Sequence, residues 1–436
     1  MAKLRRQLVP VTGIVLLGVD ILLRLQMMDL IIIRPPKPLA VAKNTGFSAN
    51  RKSSRVFPQA AADTKSAGMD DLKPAIGESH SYKIQVYDDK NHFLKKVGTF
   101  KRILQQSKGG PKPRGDIQCG NNYTIEITLA DETNKFAGMD AVLFHFYMPL
   151  VPRQVPPPDM NPEQAWVFCS WEPPLRTAKP IGRYPKLTGL AANAEWTYHR
   201  ASDITTPFGF YQSGIPMINR TKTADEWLQG KTKLAIWMGS NCRNTGWPRL
   251  NFVRKLQSYM PIDIYGRCGN LTCLPLDRMS SKCTVDLVQK YKFYLALENS
   301  ECEDYITEKV WDKALTRGVV PVVYGARKKD YEELLPPNSF IYIGDYENVK
   351  ELADYLKILD TRPDLYAKYF EWQISGTANT TEIFYGIFDL TRFCHLVPII
   401  EKVRRGELNR TQVISRNYVQ TCRKGSSYGV GNWDPW

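Results

Sequence analysis

Compact apolar runs alternate with amphipathic segments through residues 231–375 of the chain. The apolar runs read LAIWM, IDIYG, KFYLAL, VVPVVYG and FIYIGD, and between them lie segments such as WPRLNFVRKLQSYM and NVKELADYLKILD. Short apolar runs are typical of buried strands, while apolar residues three or four positions apart indicate helices that pack along one face. The alternating order predicts a parallel sheet with helices packed against it, which is an α/β lobe.

The region before it, residues 81–230, is predicted to form another lobe. Strand-like runs occur at YKIQVYD, YTIEITL and MDAVLFHFY, and loops rich in glycine, proline and lysine separate them. Residues 34–80 are rich in proline, lysine, serine and alanine and have few large apolar side chains, so they are predicted to form a flexible stem. The remaining residues, 376–436, are assigned to a C-terminal extension.

The N-terminus has the pattern of a signal anchor. Basic residues within 1–7 precede the apolar stretch LVPVTGIVLLGVDILL. A positive end that faces the cytosol predicts a cytosolic tail over 1–7, a transmembrane anchor over 8–33 and a lumenal remainder. Asp20 lies inside the stretch and Arg24 follows it, whereas a clean span needs about 20 apolar residues. A cleaved signal peptide therefore remains an alternative.

The charge of the chain is strongly positive. Its 436 residues include 59 Lys and Arg against 44 Asp and Glu, a net charge of +15. Such a balance favours an anionic partner, which includes nucleic acid, a phosphorylated small molecule or a membrane surface. The basic residues are spread along the chain without an arginine-rich tract, and no zinc-finger spacing occurs. A nucleic-acid partner is therefore not expected.

Nine cysteines occur together with several Asn-x-Ser/Thr acceptor sites. The acceptor sites begin at Asn122, Asn219, Asn270, Asn379 and Asn409. This combination is typical of the secretory pathway and predicts that most cysteines form disulfides, with one left over. A zinc site at CGNLTC would need a second close pair or a nearby histidine, which this part of the sequence lacks, so disulfides are favoured.

The stretch ENSECEDYITEKVWDKALTRGVVPVVYG collects polar groups between two apolar runs. YKFYLAL before it reads as a strand, TEKVWDKALTRG as a helix capped by Thr307 and stopped by Gly318, and VVPVVY as a buried strand. Ligands of an open parallel sheet bind beyond the carboxyl ends of its strands. The residues predicted to collect at that edge are Glu298, Asn299, Tyr305, Glu308 and Lys309.

The chemistry of this edge predicts a nucleotide ligand. A helix N-terminus and a lysine favour phosphate, whereas an ionised Glu308 would repel phosphate and accept hydrogen bonds from a vicinal diol such as a ribose. Together they fit a nucleoside diphosphate that carries a sugar. The alternative is structural, with Glu308 as a first-turn partner of the helix dipole and Lys309 as a solvated side chain. No P-loop, Gly-x-Gly-x-x-Gly or Gly-x-Ser-x-Gly motif occurs in a fitting strand and helix context.

The 35 residues YKFYLALENSECEDYITEKVWDKALTRGVVPVVYG resemble, nearly position by position, the donor-binding signature of the α1,3-fucosyltransferases. Weaker likeness extends to WVFCSWEPP, ASDITTPFGFY, GSNCRNTGWPRLNFV and IDIYGRCG. The resemblance implies an enzyme that moves L-fucose from GDP-fucose onto N-acetylglucosamine in glycans. It also implies a GT-B arrangement, in which two Rossmann-like lobes enclose the active site in a cleft, behind an N-terminal signal anchor and stem.

The resemblance implies how the donor is held. Arg249 and Lys309 are expected to meet the diphosphate, and Glu308 to hold the ribose. Asn299 and Tyr305 are expected to line the donor pocket. Cations on the diphosphate stabilise the departing GDP, a task that many other transferases give to a metal. No metal ligand and no cofactor is therefore expected to be required for the chemistry, although stimulation by a divalent cation such as manganese is allowed.

Glu172, in SWEPP, matches the family's proposed general base. Transfer from a β-linked donor to an α-linked product inverts the sugar carbon, so one displacement needs one carboxylate to take the proton of the acceptor hydroxyl. Without the resemblance, Glu172 would be interpreted as a surface acid and Arg249 as a solvated helix residue. The chain departs from the family at LFHFYMPL, where only His145 remains of paired histidines and an arginine, so the acceptor is left open.

The whole chain is thus expected to be a Golgi type II single-pass membrane enzyme with a lumenal catalytic region. Its expected reaction transfers L-fucose from GDP-β-L-fucose to the 3-hydroxyl of N-acetylglucosamine in glycoprotein or glycolipid glycans. Two alternatives stay open: a catalytically inactive secretory sugar-binding protein, and a fucosyltransferase of another linkage such as α1,4. The family's closing Cys-x-x-Cys is absent, since Cys394 is followed by HLVPII and then Cys422, so the C-terminal disulfide pairing is also open.

Overall fold

The structure, a computed structural model, describes ten stretches of the chain. They are residues 80–88, 114–120, 122–129, 136–145, 161–177, 190–243, 245–273, 282–381, 390–413 and 416–423. The predicted cytosolic tail and anchor lie outside these stretches, as do the stem up to residue 79 and most of the loop VPRQVPPPDMNP. Within the described stretches, every helix is too short or too polar to span a bilayer.

A seven-stranded sheet, the first sheet, occupies the first half of the described chain. The strands of this half are β1 His80–Asp88, β2 Arg114–Cys119, β3 Tyr123–Leu129, β4 Ala141–His145, β5 Ala165–Ser170, β6 Ala191–Ala192, β7 Ala194–Thr197, β8 Ile204–Thr205 and β9 Gly209–Ser213. The sheet has the order β2-β3-β1-β4-β5-β7-β8, and each neighbouring pair is parallel except β2 and β3. The three strand-like runs of the sequence are confirmed as β1, β3 and β4.

The central strands of the first sheet are buried on both faces. Every residue of β4 and of β5 is buried. Parallel strands that are covered on both faces form continuous apolar runs rather than alternating ones. The run AVLFH therefore lies in the middle of the sheet. In YTIEITL, buried and partly exposed residues alternate, so one face of β3 is more exposed than the other.

A five-stranded sheet, the second sheet, occupies the second half. Its strands are β10 Lys233–Met238, β11 Ile262–Tyr265, β12 Tyr291–Leu297, β13 Val320–Tyr324 and β14 Ile341–Tyr342. They lie in the order β11-β10-β12-β13-β14, and every pair is parallel. The predicted α/β character is confirmed. Leu297 pairs with Tyr324, so the two apolar runs that flank the polar stretch end side by side.

Helices connect and cover these strands. They are α1 Pro174–Thr177, α2 Ala224–Leu228, α3 Arg249–Gln257, α4 Lys282–Val288, α5 Glu308–Trp311, α6 Lys328–Leu334, α7 Val349–Thr361, α8 Pro363–Ala367, α9 Leu396–Arg404 and α10 Asn417–Gln420. Short 3₁₀ helices add Leu315–Arg317, Ile343–Asp345, Lys368–Ile374 and Leu390–His395. The amphipathic segment NVKELADYLKILD is confirmed as α7, and Asn348 caps it by accepting from the Glu351 N–H at 3.0 Å.

The helix predicted between β12 and β13 is shorter than its pattern indicates. Thr307 caps it as expected, but the α-helix continues only through α5 and is followed by a 3₁₀ turn that ends at Gly318, where φ is +64°. Trp311 of α5 lies against Gly209 of β9, where a built Cβ would be 2.3 Å from the indole. The packing of Trp311 against the first half of the chain is thus favoured over continuation of the regular α-helix.

The C-terminal residues pack against the first sheet. Leu396, Val397 and Ile400 of α9 lie in one core cluster with the strands of the first sheet. Two separate two-stranded sheets also form, because β15 Gly376–Thr380 pairs antiparallel with β9 and β16 Thr411–Gln412 pairs antiparallel with β6. Glu401 of α9 accepts a hydrogen bond from the Tyr82 hydroxyl at 3.0 Å. The described part of the region 376–436 therefore contributes to the core of the first sheet.

Most of the described cysteines form disulfides. The pairs are Cys119–Cys394, Cys242–Cys268 and Cys302–Cys422; Cys273 is also disulfide-bonded. Cys169 is a buried thiol. The favoured disulfide interpretation is thus confirmed, and the zinc alternative fails for Cys268, which is paired with Cys242. The described stretches hold no group of three or more side chains arranged to bind a metal ion.

Candidate functional site

A buried carboxylate, Glu298, lies at the carboxyl end of β12. Its side chain is fully buried. Its Oε1 accepts hydrogen bonds from the backbone N–H and the hydroxyl of Thr307, each at 2.8 Å, so this acid satisfies donors at the start of α5. Gly325, directly after β13, has a φ of +137°, and a Cβ built there would be 2.5 Å from Glu298 Cβ. Glycine at this position therefore makes room for the acid.

The ammonium of Lys309 completes an acid–lysine cluster, defined as Glu298, Glu308 and Lys309. Its Nζ lies 2.8 Å from Glu298 Oε2, 2.8 Å from Thr307 Oγ1 and 3.3 Å from Glu308 Oε1. Burial draws the pKa of Lys309 down, but the two acids outweigh burial and raise it above its ordinary value. The lysine is therefore charged at neutral pH.

The two acids of the cluster respond differently to the same surroundings. Burial raises the pKa of Glu298, and Lys309 opposes that rise. For Glu308, burial also acts upward, but Lys309 and a hydrogen bond with Thr307 outweigh it and lower the pKa. Glu308, the partly exposed acid, is thus the one held firmly in its ionised form.

Arg249 lies beside the same strand end. It is the first residue of α3 and is only 5% exposed. Its guanidinium donates to the carbonyl of Leu297 at 2.8 Å and to that of Asn241 at 3.1 Å. Its Nε is buried and lacks a hydrogen-bond partner among the described residues. Burial lowers the pKa of Arg249 because it penalises the charged form. An anionic ligand would compensate this buried charge, so the guanidinium is suited to bind one.

Asn299 and Tyr305 lie on the loop between β12 and α5. The Asn299 carbonyl accepts from the Gly246 N–H at 2.6 Å, and its side-chain Oδ1 is buried with no partner in the described structure. Tyr305 is buried, and its ring centroid lies 5.0 Å from that of Tyr198 and 6.1 Å from that of Phe208. Both rings belong to the first half of the chain, so Tyr305 lies where the two sheets' loops meet.

Glu172 reaches this meeting point from the first sheet, directly after β5. It is half-buried, and its backbone N–H donates to the Ser170 hydroxyl at 3.1 Å. The pKa values of Tyr198 and Tyr305 are raised well above the ordinary value, mainly by burial. The charge of Glu172 is the largest further cause for Tyr305.

The segment that follows Glu172 also touches the second sheet. A Cβ built on Gly246 would be 3.2 Å from Leu175 Cδ1 and 3.2 Å from Ser300 Cα. Both distances are tighter than ordinary packing, so a side chain at position 246 would push these groups apart. The loop that carries Glu172 and the loop after β12 therefore meet across Gly246.

The structure brings all six predicted residues to one region. Arg249, Asn299, Glu308 and Lys309 surround the end of β12. Tyr305 lies on the loop that follows, and the segment that carries Glu172 meets this loop across Gly246. Neither cation is solvated as the alternative interpretations expected, since the Lys309 side chain is only 18% exposed and Arg249 is buried. One feature differs from expectation, because the Lys309 ammonium already has three acceptors.

Sequence reasoning missed residues whose partners are distant in the chain. Arg200 bonds through Nε to Asp304 Oδ1 at 2.9 Å and through Nη2 to Asp330 Oδ1 at 3.0 Å, which joins the two halves. Asp304 has a φ of +59°, rare for a residue other than glycine. Glu298 was visible as an acid at a strand end, but no local signal shows that it partners Lys309.

Two family models match the chain. The model described as "Fucosyltransferase, N-terminal" matches residues 93–209. The model described as "Glycosyltransferase family 10 (fucosyltransferase) C-term" matches residues 228–415. The first match covers strands of the first sheet and Glu172, and the second covers the whole second sheet with the acid–lysine cluster.

Curated proteins and a solved structure are also similar to the chain. Glycoprotein 3-alpha-L-fucosyltransferase A of Drosophila melanogaster is 43% identical over 188 residues, which is 43% of this chain and 36% of that protein. The 4-galactosyl-N-acetylglucosaminide 3-alpha-L-fucosyltransferase FUT6 of Pan troglodytes is 33% identical over 302 residues, 66% of this chain and 78% of that protein. A crystal structure of an alpha1,3-fucosyltransferase with GDP-fucose matches 76% of this chain and 94% of its own, at 18% identity and a TM-score of 0.45. For the Drosophila protein and several other fucosyltransferases, the chain spans less than two thirds of their length.

Proposed function

Because the chain belongs to glycosyltransferase family 10, the fucosyltransferases, we propose that it transfers L-fucose from GDP-β-L-fucose to the 3-hydroxyl of N-acetylglucosamine. The product is an α1,3 linkage in glycoprotein or glycolipid glycans. The observation that carries the proposal is the meeting of the loop that carries Glu172 with the loop that leads into the acid–lysine cluster, where a Cβ built on Gly246 would be 3.2 Å from Leu175 Cδ1 and 3.2 Å from Ser300 Cα. The names of relatives that act as 3-alpha-L-fucosyltransferases support it.

The donor binds at the carboxyl end of β12 in this proposal. Lys309 and Arg249 meet the diphosphate, and Glu308 accepts from the ribose hydroxyls. Since the Lys309 ammonium has three acceptors, phosphate must replace one of them, and the longest contact is the 3.3 Å one to Glu308. If phosphate replaces this contact, Glu308 is able to accept hydrogen bonds from the ribose hydroxyls, while Glu298 keeps the Lys309 ammonium in place.

The chemistry follows from one carboxylate and two cations. Glu172 takes the proton of the acceptor hydroxyl while that oxygen forms a bond to the fucose anomeric carbon. The bond from this carbon to the phosphate oxygen breaks, and GDP leaves with the electron pair. Lys309 and Arg249 stabilise the charge that develops on the diphosphate. Attack from the face opposite GDP inverts the carbon.

The finer organisation is part of the same proposal. The two sheets form the lobes of a GT-B arrangement, over 81–230 and 231–375, with the active site in the cleft between them. Residues 8–33 anchor the chain as a type II protein of the Golgi membrane, which the paired cysteines and acceptor asparagines support. No cofactor or metal is required, and a divalent cation such as manganese would at most stimulate.

A transfer assay tests the proposal. The chain is incubated with GDP-fucose and a panel of lactosamine and N-glycan-core acceptors, and the linkage of any product is determined. Glu172→Gln should lower kcat by about 100-fold or more, because general-base catalysis is lost, while the affinity for GDP is kept. The matched control is Glu163→Gln, which changes an exposed acid of the same half of the chain and should leave kcat unchanged.

Each of the other outcomes would support a different conclusion about the protein. No transfer together with intact glycan binding would favour the catalytically inactive sugar-binding alternative. Product fucosylated at the 4-hydroxyl would make the α1,4 linkage correct. Full turnover by Glu172→Gln would refute the assignment of Glu172 as the base and leave the donor site standing.

A further inference from the structure

The last described segment of the chain contacts both loops of the proposed active site. This bridging segment, residues 416–423, contains α10 and Cys422. It lies far in sequence from Glu172 and from the donor loop, which is the loop between β12 and α5 that carries Asn299 and Tyr305. It follows α9, which packs on the first sheet. Its contacts fall into two groups, one at each loop.

The first group of contacts holds the backbone of Glu172. Tyr418 is fully buried, and its hydroxyl donates a hydrogen bond to the Glu172 carbonyl. The Tyr418 ring packs with Phe168 of β5 at a centroid distance of 5.8 Å and with Tyr198 at 5.6 Å. The direction in which Glu172 leaves β5 is therefore set in part by Tyr418.

The second group of contacts holds the loop that leads to Tyr305. Cys422 forms the disulfide with Cys302. On either side of it, the Glu303 N–H donates to the Thr421 carbonyl at 3.1 Å, and the Arg423 N–H donates to the Glu301 carbonyl at 3.0 Å. The donor loop is thus tied to the bridging segment by a covalent bond and two backbone hydrogen bonds.

Only three residues separate Tyr418 from Cys422, so the two groups of contacts lie on one short piece of backbone. Part of this piece is the helix α10, and backbone hydrogen bonds restrict its dihedral angles. A short, hydrogen-bonded piece cannot lengthen without breaking these bonds. Its two ends therefore hold the Glu172 loop and the donor loop at a set separation.

We propose that the bridging segment is a positioning element that sets the distance between the Glu172 carboxylate and the donor loop, with Tyr418 as its central residue. The inference rests on the proposed function. A general base must lie about 2.6–3.2 Å from the atom whose proton it takes, and a misplacement of about 1 Å can cost about 100-fold in rate. Loosening the segment should therefore reduce turnover more than donor binding.

Tyr418→Phe tests the contact with Glu172. It removes one hydroxyl and keeps the ring, so kcat should fall by about tenfold while KM for GDP-fucose stays within about twofold. The matched control is Tyr366→Phe, since the buried Tyr366 hydroxyl also donates to a backbone carbonyl, that of Lys292, at 2.9 Å. The control should lower the unfolding temperature by a similar amount and leave kcat unchanged.

The disulfide provides a second, independent test. Replacing both Cys302 and Cys422 with serine should lower kcat with little change in GDP affinity. The matched control replaces Cys119 and Cys394, which also join the C-terminal region to an earlier part of the chain but lie on β2 and on the 3₁₀ helix Leu390–His395, outside both loops. Both pairs should lose thermal stability, and the first pair alone should lose turnover.

The outcomes separate this inference from the proposed function. If the wild-type chain transfers no fucose, the proposed function fails, and the inference fails with it. If the wild-type chain is active and Tyr418→Phe matches Tyr366→Phe in kcat, the positioning role is refuted while the function stands. Should Tyr418→Phe not fold, equal kcat losses in the two disulfide variants would refute it, and a loss confined to Cys302 and Cys422 would support it.

Discussion

At the scale of single residues, the site depends on how a buried charge is balanced. Glu298 is fully buried, and Lys309 is its cationic partner at 2.8 Å. Lys309 therefore has two tasks, since it neutralises an acid inside the protein and is proposed to attract the diphosphate. A substitution at this lysine would affect folding and binding together, and the two effects must be separated.

A double substitution separates them. Lys309→Met should lower the free energy of unfolding by about 3 to 5 kcal/mol, because it leaves Glu298 buried without a cation. Adding Glu298→Gln removes that charge and should recover most of the loss. GDP affinity should stay low in both variants, since the phosphate has lost its cation. Denaturant unfolding and calorimetric GDP titration measure the two effects; a double variant as unstable as the single one would contradict the charge-balance explanation.

At the scale of elements, β13 has a glycine at each end for different reasons. Gly318 precedes it with φ +64° and has open space where a Cβ would be, whereas Gly325 follows it with φ +137° and faces Glu298. The first glycine ends a 3₁₀ turn, and the second makes room for the buried acid. β13 therefore begins just after the helical turn ends, and it ends beside the buried acid of the site.

Alanine at these two glycines should have different effects. Gly318→Ala should cost about 1 kcal/mol of stability, the usual penalty for a left-handed alanine, and leave GDP affinity unchanged. Gly325→Ala should cost more and also weaken GDP binding, because the new Cβ would displace Glu298 and with it Lys309. The readouts are thermal unfolding and GDP titration. Unchanged GDP affinity in Gly325→Ala would show that Glu298 does not position Lys309.

At the scale of the whole molecule, Arg200 joins the two halves of the chain. It follows β7 of the first sheet, and its guanidinium bonds to Asp304 and Asp330 of the second half and to the more exposed Glu333. Asp304 and Asp330 are buried, and Asp304 adopts a left-handed conformation directly before Tyr305. One arginine therefore supports the donor loop from the opposite sheet.

Removal of this arginine should weaken the contact between the halves. Arg200→Met should lower the free energy of unfolding by about 3 kcal/mol, since Asp304 is left buried without its bidentate partner. The matched control is Arg220→Met, which breaks the exposed ion pair with Glu226 and should cost far less. Chemical denaturation measures both. Similar losses in the two variants would mean that the Arg200 contacts contribute no more than a surface pair.

The sequence anticipated much of the second sheet and of the site. YKFYLAL and VVPVVY are strands, Thr307 caps the helix between them, and Glu308 and Lys309 lie at its start, because apolar spacing and capping residues act within a few positions. The length of that helix was not predictable from its pattern, since Trp311 packs against Gly209, about a hundred residues earlier. Nor was the antiparallel addition of β15 to β9.

The order of amino acids predicts the strands of the second sheet and the residues that stand at the end of β12, since those outcomes depend on near neighbours. Its motifs also indicate the family of enzymes to which the chain belongs. The pairing of Cys302 with Cys422 and the meeting of the Glu172 segment with the loop after β12 at Gly246 depend instead on distant segments. Those contacts arise only when many weak interactions between remote parts of the chain are satisfied together.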